Sequence, residues 1–144
     1  MENSEETRAH TSHTDITLDQ LGEMQPGLAR LMAEISDRYW ILYYAAKAGN
    51  WKMAALQSSE VRKALKIGNI TRPKYTTHIE AFMGGPMGAI DSAIENQDWT
   101  GFEIAYETGI RAANAYHKLW DHEEIVWQLP EDPPKHLNLS PPES

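Results

Sequence analysis

The chain has no cysteine among its 144 residues. That absence removes disulfides, thiolate metal sites, cysteine nucleophiles and thioether attachment of a cofactor, while leaving the compartment open. Basic charge is also scarce: 13 Lys plus Arg stand against 21 Asp plus Glu, a formal net charge of −8. Such a field repels phosphate backbones and anionic headgroups, so neither nucleic acid nor a membrane surface is an expected partner. No apolar run approaches the roughly 20 residues that cross a bilayer. Met1 to Thr14 has neither the basic start nor the apolar stretch of a signal peptide. As written, the chain is expected in the cytoplasm, or in the periplasm if an export signal has been removed. An apolar fraction of 41% suffices for one core in a chain of this length.

What is present is helical periodicity. Residues 1–14 are almost wholly polar, too poor in apolar surface to offset ordering entropy, and are read as a disordered arm. After a cap at Asp15 or Thr17, apolar residues recur at Leu21, Met24, Leu28, Leu31, Ile35, Tyr39, Leu42 and Ala46, the spacing of a first helix. Pro26 either opens that helix, with Leu18 to Gln25 as a preceding turn or short helix, or kinks its first turns. Gly49-Asn50 ends it. Trp51, Ala54, Leu56, Val61 and Leu65 carry a second helix that is expected to stop at Gly68. A third, from Tyr75 to about Asn96, is broken or bent at Gly84-Gly85-Pro86. Asp98 caps a fourth with the stripe Phe102, Tyr106, Ile110, Ala113, His117 and Trp120. Short connections favour antiparallel neighbours, and no segment alternates like a strand. The expected fold is therefore all-α, an up-down-up-down four-helix bundle over residues 15–128, followed by an extended Pro-rich tail over 129–144. Ile125, Val126, Trp127 and Leu129 are candidates to anchor the start of that tail. Lys47 to Trp51 and Glu95 to Trp99 punctuate the two halves alike, as a repeated hairpin or as ordinary turns.

Few kinds of chemistry survive inspection. A carboxylate-bridged di-iron site needs Glu-x-x-His pairs, and there are none. His117 and His122 diverge around a helix and make a poor zinc clamp. Gly84-Gly85-Pro86-Met87-Gly88 lacks the spacing and lysine of a phosphate-binding loop. His117 remains, on the core stripe near the end of the last helix, where a buried imidazole needs a hydrogen-bond partner or a metal. Met24 lies on the stripe near the start of the first helix. In the expected topology those two ends coincide, so Met24 and His117 could bracket a planar macrocycle; a core filler and a satisfied core histidine are the plainer roles. Trp40, Tyr43, Trp99, Phe102, Tyr106, Tyr116 and Trp120 would suit a flat apolar ligand or an ordinary core.

Asn114-Ala115-Tyr116-His117-Lys118 and the early Met24 resemble the axial-ligand positions of the soluble b-type four-helix-bundle cytochromes. Ala113-Asn114-Ala115-Tyr116-His117 is similar to a Cys-x-x-Cys-His haem-attachment motif of the c-type and c-prime-like relatives, with Ala113 and Tyr116 in place of the cysteines. Met24-Gln25-Pro26-Gly27-Leu28 and Ala48-Gly49-Asn50-Trp51 also resemble stretches of c-type relatives. The resemblance implies a haem-binding, electron-transfer bundle with a redox or regulatory protein partner. Covalent haem c is excluded by the missing cysteines, so the haem would be b-type, ligated by His117 and Met24 with Tyr116 beside it. Ala113 and Asp121 stand where basic residues face the propionates in that family, leaving Lys118, Arg111 or Arg30 as substitutes.

A competing reading is a haem-free descendant of such a bundle that binds a protein or a small molecule. A third places acid–base chemistry at Tyr116, His117, Asp121, His122 and Glu124, although no catalytic signature accompanies them, and the balance favours a protein that is not an enzyme. A homodimer formed through an exposed apolar face is a further expectation.

Overall fold

The computed structural model describes residues 7–143. Helix dominates them. After a two-stranded antiparallel sheet, β1 (Arg8–His10) and β2 (Asp15–Thr17), come α1 (Leu18–Glu23), α2 (Leu28–Lys47), α3 (Trp51–Thr71), a 3-10 turn at Pro73–Tyr75, α4 (Thr76–Gly84), α5 (Pro86–Glu95) and α6 (Trp99–Leu119). Helix α2 packs along α3 and α5 along α6, while α2 with α6 and α3 with α4 and α5 close the core between them. Among the described residues no helix is long and apolar enough to cross a membrane.

At the amino-terminal end one expectation changes and one open alternative is decided. Of the arm expected to be disordered, residues 1–6 lie outside the described part, but the rest enters a hairpin. Local polar bonds build it: Thr11 Oγ1 donates to the Thr14 carbonyl, and His10 pairs with Asp15 at 2.8 Å. The first apolar stripe divides at Pro26 into a short helix and a long one, the first of the two alternatives for that proline. Thr17 and Gln20 form a reciprocal capping box that starts α1, which ends at Met24, and Pro26 then precedes the Gly27 cap of α2. The proline therefore stands before the long helix, not inside it.

The two hairpin turns are built alike. Gly49 and Gln97 both have positive φ, 77° and 50°. The amides that follow them, of Asn50 and Asp98, donate to the carbonyls of Ala45 and Ala93 at 2.8 and 2.9 Å. The same two side chains then cap α3 and α6 by accepting from the amides of Met53 and Gly101. Gly68 is not the end of α3, which runs on to Thr71. There a Cβ would come within 2.9 Å of Leu28 Cδ2, so this glycine admits a close helix approach. Gly85 divides the third helical segment into α4 and α5, as the Gly-Gly-Pro sequence predicts.

An aromatic column fills the middle of the core. Tyr39 and Tyr106 stack with ring centroids 4.2 Å apart, and each hydroxyl donates to the other residue's carbonyl, at 2.7 and 2.8 Å. Burial raises both phenol pKa values far above the ordinary range, so both stay neutral. Gly109 makes room for this pair, because a Cβ there would overlap the Tyr39 hydroxyl. Tyr43, Phe102 and Trp99 extend the column toward the Asn50 end.

Candidate functional site

The segment after α6 carries no regular structure, yet it is tied down along its length. A turn through Asp121, whose φ is +59°, lets the His122 amide donate to the His117 carbonyl at 2.8 Å. Asn114 then clamps the backbone of Trp127, accepting from its amide at 2.6 Å and donating to its carbonyl at 3.0 Å. Tyr44 donates to the carbonyls of Pro130 and Glu131, Trp40 Nε1 to that of Asp132, and Asn50 Nδ2 to that of Ser140. Proline-rich chain cannot bond to itself in a ladder, so its carbonyls are open to side chains of this kind. Trp127 and Leu129 pack on the core and Leu139 is buried in it, whereas Val126 is exposed.

Beneath the start of this strap, at the end of α6, lies a cleft of about 400 Å³. Leu28 and Met32 of α2, Tyr75, and Trp120, Ile125 and Trp127 wall it, with His117 and His122 as its imidazoles. Exposed Ala29, Ala33 and Ser36 form its rim and leave it open to solvent. No lysine, arginine, aspartate or glutamate is among its lining residues. A second cleft of about 390 Å³ adjoins it on the far side of Trp127, sharing Ala33 and Ser36.

His117 is the polar centre of the cleft. Its ring is 4% exposed, and Nδ1–H donates to the Ile125 carbonyl at 3.0 Å. A carbonyl can only accept, which fixes the proton on Nδ1 and leaves the Nε2 lone pair outward. Among the described residues nothing hydrogen-bonds Nε2. Burial lowers the His117 pKa, opposed in part by the bond to Ile125, so the imidazole is neutral at pH 7.

The remaining residues singled out by sequence fall elsewhere. Met24 is the C-cap residue of α1, 55% exposed and not part of the cleft lining; the thioether that shares the cleft with His117 belongs to Met32. Ala113 is buried in the core and Lys118 is exposed. Tyr116 stacks on His78 at 5.0 Å and lies parallel to Trp120, whose Nε1 donates to His78 Nδ1 at 2.7 Å. Within the carboxylate-bearing group, His122 bonds the exposed Glu124 at 3.0 Å, whereas His117 is turned to the backbone. Among the described residues no three His, Asp or Glu side chains converge as a metal site. The sequence stripe pointed past Met32 because it flanks Leu31; its visible signal is the Leu28–Met32–Ser36 row, four apart on the adjoining helix face.

No family model, no curated protein and no solved structure matches the chain. The likeness to helical cytochromes is carried by the short motifs around Met24, Gly49 and His117.

Proposed function

We propose that this protein is a small-molecule-binding module that works without haem, with the His117 cleft as its site. In this reading the helices form an up-down-up-down four-helix bundle, α4 and α5 together serving as the broken third helix, with the strap laid over its open side. The observation that carries it is a single one: the neutral imidazole of His117 lines a largely apolar cleft with no protein donor to its Nε2 among the described residues. Clefts of this size with few convergent polar groups are the usual form of small-ligand sites.

The same residues weigh against a haem. His117 has the tautomer of an axial ligand, and Met32 supplies a thioether on the same cleft. The two propionates, however, would enter a lining with no cation, next to Glu123 and Glu124 in a chain of net charge −8. Placing carboxylates beside apolar walls without a partner is costly. Met24, which the motif likeness points to as second ligand, is on the surface. The residues present do not fit the group.

The test is a fluorescence titration with the neutral dye N-phenyl-1-naphthylamine, on the native chain and on Ala33→Trp, paired with a hemin titration. Ala33 is exposed on the cleft rim, so a tryptophan there blocks the site without entering the core. Saturable one-to-one enhancement that Ala33→Trp abolishes is expected, with no Soret band that depends on His117. Enhancement unchanged in Ala33→Trp would remove the cleft from consideration. A sharp, saturable Soret band lost in His117→Ala would restore the haem reading.

A further inference from the structure

The chemistry of the cleft narrows what it can hold. Several of its polar groups are committed within the protein. Ser36 Oγ donates to the Ala33 carbonyl at 3.0 Å, and Trp120 Nε1 is committed to His78. The Ile125 carbonyl is occupied by His117 Nδ1–H, while His117 Nε2 has no protein donor among the described residues. In the open cleft that acceptor is met only by solvent, which a ligand O–H or N–H displaces. A carboxylate or phosphate finds no cation in the lining, and an ammonium finds no carboxylate. The walls are mostly aromatic and apolar: Tyr75 and Trp120 pack together with ring centroids 4.4 Å apart, Trp127 also lines the cleft, and Met32 is an adaptable filler.

We propose that the His117 cleft takes an uncharged aromatic molecule of one or two rings bearing one hydroxyl or N–H, which donates to His117 Nε2 while the ring lies among Tyr75, Trp120 and Trp127. This rests on the cleft being the binding site, and it names the ligand class for that site. The hydrogen bond to Nε2 sets the ligand's orientation among the apolar walls. A purely hydrocarbon ring displaces solvent from the acceptor without replacing its hydrogen bond, and an anion meets both the desolvation penalty and the chain's negative field.

Three probes of nearly equal size separate the outcomes: p-cresol, toluene and benzoate, each titrated into full-length protein labelled with 15N-histidine. The expected result is p-cresol binding roughly 5- to 10-fold tighter than toluene, the factor one neutral hydrogen bond supplies. Benzoate should bind at least about 10-fold more weakly than p-cresol, and the His117 Nε2 resonance should move with p-cresol and stay put with toluene. Equal binding of p-cresol and toluene with an unmoved Nε2 overturns the ligand class and leaves the cleft standing. Tightest binding by benzoate overturns it as well. If none of the three binds while N-phenyl-1-naphthylamine does, the class fails on size; if the dye also fails, the cleft itself is wrong. Because the 15N readout uses the unmutated chain, the test does not depend on a His117 variant that folds.

Discussion

Helices α2 and α6 present aromatic residues along their whole contact, yet the middle and the His117 end use them in opposite ways. At the middle, Tyr39 and Tyr106 satisfy each other's hydroxyls and carbonyls, Phe102 is 0% exposed, and Gly109 removes the last obstruction. At the other end, Trp120 and Trp127 stand edge-on to His117 at 6.3 and 6.2 Å, and the imidazole keeps a free nitrogen beside an open cleft. The composition is similar, but the first region is closed by reciprocity and the second is left incomplete. Aromatic richness alone does not make a ligand site; an unmatched polar atom within it is what distinguishes one from core.

The sharpest way to break this contrast is to remove closure from the middle. Phe102→Ala should cost about 3–5 kcal/mol, read by chemical denaturation, since a fully buried ring leaves a cavity in a packed core. Gly109→Ala should cost about 1–3 kcal/mol by forcing the Tyr39 hydroxyl off the Tyr106 carbonyl. Asn114→Ala should cost about 1–2 kcal/mol and, more tellingly, expose the segment around Trp127 to limited proteolysis while α2 and α3 stay protected, because both clamp bonds go at once.

The His117 end should respond to pH where the middle does not. Burial lowers the His117 pKa below its ordinary 6.5, so on acidification the unfolded chain takes up this proton first. Stability from this source is therefore present above about pH 6.5 and lost as pH falls toward the folded-state pKa. The Tm difference between native protein and His117→Gln should be flat above pH 7 and shrink below 6.5; a difference that grows on acidification would contradict the assignment. The smallest effect belongs to Met24→Ala, within about 0.5 kcal/mol and without change in dye binding, since this side chain is surface-exposed.

Much of the helical framework was legible in the amino-acid order. The stripes of α2, α3 and α6, the Asp98 cap and the break at Gly84-Gly85-Pro86 all follow from local periodicity and backbone chemistry, and these survive because tertiary packing uses the same apolar faces. His117 was legible for the same reason. Met24 was not placed correctly because its spacing continues the α2 stripe in register across Pro26, and spacing cannot register that the chain has turned. The β1–β2 hairpin escaped notice because it rests on hydrogen bonds between polar neighbours, with no alternating apolar face. The strap's extended course is legible in its prolines, but its attachment is not: Asn114, Trp40, Tyr44 and Asn50 recognise backbone carbonyls, which every residue offers alike.

The most direct test of the central claim is to locate a bound neutral aromatic by intermolecular NOEs in methyl-labelled protein saturated with N-phenyl-1-naphthylamine. The account predicts contacts to the methyls of Met32, Leu28 and Ile125, which wall the His117 cleft. Contacts instead to the exposed Leu18 and Leu21 of α1, or to Leu139 under the far end of the strap, would contradict it.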